Sequence, residues 1–232
     1  MDRMSDERRA IALLVDDGGE TTATRYGGDD PTRPCFILAH GAGAGQQHPF
    51  IVQTSTALAA RGINVLTFNF LYMQRGRGGP DRPPVLEATW RAAIRCAVQL
   101  GWGSTRLVIG GKSMGGRIAS MVLAQTGAPQ LAAPVHGLVL LGYPLHPPGR
   151  PEKLRVDHLP RLETPTLVVQ GERDDFGSPA EVRKAFKQSP AHVDWLEVPD
   201  GDHSFKIRRS ADRSQADVHA HITDVVATWI LG

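Results

Sequence analysis

The residues best suited to chemistry lie at 107–120, LVIGGKSMGGRIAS. An apolar run, Leu107 to Ile109, leads into Gly110 and Gly111. Lys112 and Ser113 follow, then Met114, Gly115 and Gly116 and a stretch of helix formers. This is G-x-S-x-G between a strand and a helix, the spacing of a nucleophile elbow. The spacing has a steric basis. Ser113 would occupy a strained backbone conformation at the tip of a sharp turn, and glycines two residues to either side omit side chains that would collide there. The serine oxygen then stands clear of the sheet. The Met114 amide, at a helix N-terminus, offers partial positive charge to an oxyanion. A phosphate-binding reading of Gly111–Lys112–Ser113 fails, because that motif needs a glycine where Arg106 stands.

A serine hydroxyl is a poor nucleophile until an imidazole takes its proton, and the imidazole needs a carboxylate to hold its tautomer. The surrounding elements must bring these groups together. Pro34–His40, Ile63–Tyr72, Gly137–Tyr143, Thr166–Gly171 and Asp194–Val198 read as short strands, like the run before the serine. Helical spacing separates them, over Phe50–Arg61, Leu86–Leu100, Ile118–Gln125, Pro179–Gln188 and Val218–Trp229. Such alternation predicts an α/β fold, a mostly parallel doubly wound sheet with helices on both faces. Residues 1–31 are polar, and strand hints at Ala10–Val15 and Thr21–Tyr26 suggest an antiparallel lead-in. No repeat or linker is found, so a single domain over 1–232 is expected. Residues 144–165 leave little room for a cap domain.

In doubly wound sheets, functional groups gather beyond the C-terminal strand ends. That rule singles out Gly41–Gly45, Ser113, Asp174 or Asp175, and His203. His203 follows the last strand in a small polar loop and is the best base. Asp174 follows the Thr166–Gly171 strand and is the favoured acid, with Asp175 as the neighbour that points away or caps a turn. Asp202 adjoins His203, but adjacent side chains diverge. His40 precedes the glycine-rich loop and reads as a packing residue. The small residues of that loop would leave backbone amides free for a developing oxyanion. The loop Met73–Pro84 is rich in arginine, glycine and proline; it reads as a solvated surface loop, or else Arg75, Arg77 or Arg82 leans over the site to select an anionic substrate.

Bulk properties narrow the classes. A net charge of +2 over 232 residues gives no reason to expect nucleic acid. The two cysteines, Cys35 and Cys96, make no disulfide framework and read as buried thiols. No metal-ligand spacing occurs, and no apolar run approaches the roughly 18–20 residues of a membrane span. The run Ala10–Val15 is too short for a signal peptide, so a cytoplasmic location is expected.

The blocks AHGAGAG, FNFLYMQRGRGGPDRPP, GGKSMGGRIAS, QGERDDFG and GDHSF, in that order, resemble the α/β-hydrolase superfamily. More narrowly they resemble its small, lidless dienelactone-hydrolase-like branch, including bacterial relatives of a testis-expressed protein and an NSL-complex subunit. The resemblance implies Ser113 as nucleophile, Asp174 as acid and His203 as base, with oxyanion amides from Ala42 and Met114. A proline would be usual where Asp175 stands. The combined expectation is a serine hydrolase of small carboxylic esters or thioesters, working through an acyl-enzyme without metal or organic cofactor. Its expected partner is a small-molecule ester, not a membrane or nucleic acid. The resemblance also leaves open a non-catalytic binding or scaffold protein on the same fold.

Overall fold

The computed structural model describes residues 8–16, 19–76, 78–127 and 130–232. Eight strands form one sheet in the order β1-β2-β4-β3-β5-β6-β7-β8. The lead-in is an antiparallel pair, β1 (Arg9–Val15) and β2 (Gly19–Tyr26), and β2 also runs antiparallel to β4 (Asn64–Phe68). From β4 onward every pairing is parallel, through β3 (Cys35–Ala39), β5 (Leu107–Lys112), β6 (Gly137–Leu141), β7 (Thr166–Gly171) and β8 (Val193–Val198). All these parallel strands except β8 lie between neighbours, and their unbroken apolar runs fit burial on both faces.

The two-residue period divides the core. Cys35, Ile37 and Ala39 of β3 pack on one face and Phe36 and Leu38 on the other; β6 splits Leu138 and Leu140 from Val139 and Leu141 in the same way. The first face is covered by α3 (Pro83–Gln99), α4 (Met114–Leu123) and α5 (Pro179–Phe186), through Trp90, Ile94, Ile118, Val122, Val182 and Phe186. The second face is covered by α1 (Pro49–Ala59) and α6 (Gln215–Leu231), through Ile51, Leu58, Val218, Ile222, Val226 and Ile230. Only a single 3-10 turn, Leu159–Arg161, breaks the connection from β6 to β7, and no cap domain is inserted there. Among the described residues, no helix is long and apolar enough to cross a membrane.

One expected strand is cut short. The apolar run Ile63–Tyr72 is strand only over β4, and a short helix, α2 (Leu71–Gln74), follows. Both neighbours of β4 end their pairing at Phe68, opposite Ala23 on one side and Ala39 on the other. Beyond that point the backbone finds other partners. The Asn69 N–H donates to the Thr22 carbonyl, and the Phe70 N–H donates to His40 Nε2.

The tightest packing joins β5, α4 and β3. A Cβ built on Gly111 would lie 2.7 Å from backbone atoms of Gly115 and Gly116, and one on Gly115 would lie 2.5 Å from the His40 carbonyl oxygen. The Trp90 indole N–H donates to the Gly115 carbonyl at 3.2 Å, tying α3 to the same junction. Substituting Gly115→Ala is therefore expected to lower unfolding free energy by about 1–3 kcal/mol. Urea unfolding followed by circular dichroism checks this, and an unchanged midpoint would contradict the packing described.

Candidate active site

Ser113 stands between β5 and α4 with φ 51° and ψ −117°, a conformation that non-glycine residues adopt only when their surroundings enforce it. The enforcement is visible. Its N–H donates to the Leu141 carbonyl at 2.9 Å, its carbonyl accepts the Arg117 N–H, and the glycine contacts leave α4 no freedom to withdraw. The hydroxyl lies 2.8 Å from His203 Nε2.

His203 comes from the loop after β8. Its Nδ1 lies 2.8 Å from Asp174 Oδ2 in the loop after β7. An ionised carboxylate only accepts, so Nδ1 carries the proton and Nε2 is left to accept from Ser113. Asp174 is 4% exposed. Its Oδ2 also accepts from Gln170 Nε2 at 2.9 Å, and its Oδ1 accepts the Phe176 N–H at 2.8 Å. Both oxygens are thus held, and the Phe176 ring stacks on the imidazole with centroids 4.1 Å apart. Asp175 is exposed and does not line the cavity. Asp202 instead secures its own loop, accepting the N–H groups of Ser204 and Lys206.

Local sequence explains how these loops are anchored. Ser178 and Glu181 form a capping box that starts α5 just after Asp174, and Ser214 and Asp217 do the same for α6 after His203. Gly171 approaches the His203 loop so closely that a Cβ would meet the Gly201 and Asp202 carbonyl oxygens at 2.5 Å. Lys112 fastens that loop from below, its Nζ donating to the His203 carbonyl at 2.5 Å and lying 5.1 Å from the Phe205 ring centroid. Burial lowers its pKa to about 8, partly offset by Asp174 and Asp202. Gly142, at φ +70°, makes room for it, since a Cβ there would lie 2.8 Å from Lys112 Nζ.

The Gly41–Gly45 loop closes the other side. Ala42 and Met114 both line the cavity of about 550 Å³ into which Ser113 and His203 open. The first amides of a helix have no intrahelical acceptor, which places the Met114 N–H among the free donors of α4. The Ala42 carbonyl accepts the Tyr72 hydroxyl at 2.8 Å, and the Gly41 carbonyl accepts His40 Nδ1–H at 2.7 Å. The segment that leaves the sheet after Phe68 therefore holds this loop in place. His40 is buried between Gly41 and Phe70 and packs edge-on to Phe70 and Tyr72.

The arginine expectation needs correction. Arg75 is exposed beside Gly19 at the start of β2 and does not line the cavity. It belongs to the turn after α2, which packs on β2 and not over Ser113. Arg82 is exposed at the start of α3, and Arg77 lies outside the described residues. Pro80 and Asp81 of the same loop do reach the cavity, while among the described residues its arginines are Arg117 and Arg155. Arg117 could have been found from its position four residues after Ser113, one helical turn along the same face. Phe176 and Gln170 lie within the QGERDDFG block, but nothing in that block separates their roles from those of its other residues, and Arg155 sits in an irregular segment with no period to read.

Two histidines, His40 buried and His158 half-buried, give the molecule an acid sensitivity. Burial lowers His40 to about 4, and His158, hydrogen-bonded to Ser120 Oγ at 2.8 Å, is likewise lowered to about 4 by burial and by Arg117 and Arg161. Unfolding restores both to their ordinary 6.5, so between pH 6.5 and 4 the unfolded chain takes up protons that the folded chain refuses. Stability is complete above about pH 6.5 and declines as pH falls, by about 2 kcal/mol per histidine from pH 7 to pH 5. Urea titrations at a series of pH values check this. The slope should shrink in His158→Gln, and an equal slope in both proteins would refute the assignment.

A family model described as an alpha/beta hydrolase domain matches residues 32–231. Among solved structures, a dienelactone hydrolase from Anabaena variabilis superposes with a TM-score of 0.75 at 18% identity, covering 97% of each chain. A putative alpha/beta hydrolase from Agrobacterium tumefaciens gives 0.74 at 16% identity, again over 97% of each chain. Est1E from Butyrivibrio proteoclasticus gives 0.69 at 18%, over 96% of this chain and 97% of the other. Identities this low speak for the fold, and the family match covers most of the sequence. The chain belongs to the alpha/beta hydrolase superfamily, with a fold like that of dienelactone hydrolase.

Proposed function

We propose that this protein is a serine hydrolase that cleaves small carboxylic esters or thioesters through an acyl-enzyme. The reading is carried by one observation, the unbroken chain from Ser113 Oγ to His203 to buried Asp174, with 2.8 Å at each step, opening on a cavity. His203 Nε2 takes the hydroxyl proton as Ser113 Oγ attacks the carbonyl carbon, and Asp174 stabilises the resulting imidazolium. The tetrahedral oxyanion is assigned to the amides of Ala42 and Met114, where preorganised donors act without reorganisation. Collapse expels the alcohol or thiol, which leaves with the proton from His203. Water then enters, gives its proton to His203 and releases the acid, restoring Ser113. The absence of a cap between β6 and β7 suits short acyl chains that reach the serine from an open side.

Labelling by a fluorophosphonate probe tests the nucleophile directly. The native protein is expected to label, Ser113→Ala to give no label, and His203→Ala to label at least about 1000-fold more slowly. A folded native protein that does not label would falsify this reading. A second test addresses the oxyanion loop. Tyr72→Phe removes the hydroxyl that holds the Ala42 carbonyl, and kcat for 4-nitrophenyl acetate is expected to fall roughly fivefold with little change in KM, the scale of one neutral hydrogen bond. A change confined to KM would count against that role.

A further inference from the structure

The cavity at Ser113 carries more positive charge than acyl transfer needs. Among the described residues, Lys112, Arg117 and Arg155 line it, against one carboxylate, Asp81. Lys112 is engaged by the His203 carbonyl. The arginines are engaged far less. Arg117 projects from α4 one turn beyond Ser113, and its Nη1 meets only the soft acceptor Met121 Sδ, at 3.3 Å. Arg155 Nη1 donates to the Pro144 carbonyl at 3.1 Å. Its backbone is fixed on both sides, the N–H by the Leu145 carbonyl and the carbonyl by the Tyr143 hydroxyl at 2.6 Å. Among the described residues, neither guanidinium is ion-paired with a carboxylate.

The surroundings make this arrangement costly without a ligand. Burial works against the charge on Arg117 and Arg155 repels it, while Glu87 acts in its favour. Two like charges that line one cavity, both partly stripped of water, are relieved by an anion that binds both. The planar guanidinium fork matches a carboxylate with two parallel hydrogen bonds. Leu86, Pro83 and Pro144 add apolar surface to the same cavity, which suits the carbons joining such an anion to a reacting carbonyl.

We propose that Arg117 and Arg155 form an anion subsite, and that the substrate is an ester bearing a carboxylate seated on these two groups while its carbonyl lies at Ser113. The proposal rests on the serine-hydrolase reading for its chemistry, but the subsite can be tested by binding alone. Calorimetry on Ser113→Ala protein, which cannot consume the ligand, compares two matched pairs. Monomethyl adipate against methyl hexanoate places the charge on the acyl side, and 5-acetoxypentanoate against pentyl acetate places it on the alcohol side. At least one charged ester is expected to bind at least about tenfold more tightly than its neutral partner. That preference should weaken with added salt and collapse in Ser113→Ala proteins also carrying Arg117→Met or Arg155→Met, while Arg117→Lys keeps part of it. Equal affinity within both pairs overturns the subsite, as does a preference that survives both methionine variants. Circular dichroism confirms that each variant is folded. Fluorophosphonate labelling of the native protein separates the two ideas: labelling without carboxylate preference removes the subsite alone, and preference without labelling removes the hydrolase chemistry alone.

Discussion

The near-contact of three backbone segments at the start of α4 sets the terms for everything built above it. Gly111, Gly115 and Gly116 let β5, α4 and β3 approach closer than any side chain permits. The chain between them has no relaxed way to turn, so Ser113 is held at positive φ with its oxygen lifted off the sheet. A strained residue persists only where its neighbours over-determine it. Here the determination is backbone on backbone, which does not relax as a flexible side chain would. The rigidity also fixes the helix N-terminus relative to β3, and through β3 the glycine-rich loop that follows it.

A second layer of constraint comes from groups that touch no reacting atom. His40 joins Gly41 to Phe70, and Tyr72 reaches the Ala42 carbonyl, so the turn after β4 braces the loop after β3. Gln170 and Phe176 hold Asp174, and Lys112 holds the carbonyl of His203. Each polar brace lies in a setting where an unmade hydrogen bond would be expensive. The result is a site whose geometry is specified by buried polar contacts as much as by apolar packing.

Short-range features were the legible ones. The glycine spacing around Ser113 is a local steric requirement, and a local requirement is written in adjacent residues. The strand cores were legible because burial on both faces demands continuous apolar runs. Asp174 and His203 could be chosen from several candidates because each lies in the loop that follows a strand, Asp174 after the apolar run of β7 and His203 after the edge strand β8, and loops at those ends converge. What escaped were properties fixed by partners distant in sequence. The run Ile63–Tyr72 stays apolar past Phe68, and only the ends of β2 and β3 decide where pairing stops. Arg75 looked suited to the site by composition, but the turn carrying it packs against β2. Arg155 reaches the cavity through an irregular segment held by Tyr143 and Leu145, contacts that no periodicity announces.

The division of Ser113, Asp174 and His203 among the ends of β5, β7 and β8 has a kinetic consequence. Between β5 and β7 lies β6, and each of these parallel pairings is made across a long crossover. Such pairings form slowly, because a large loop must close before any contact rewards it. A slip of β7 by one residue against β6 would carry Asp174 about 3.3 Å along the strand and turn its neighbours to the opposite face. Helices can form from local sequence without that register, but the hydrogen-bonded chain from Ser113 to Asp174 cannot. The contacts joining Ser113, His203 and Asp174 therefore depend on strand register, and not merely on secondary structure.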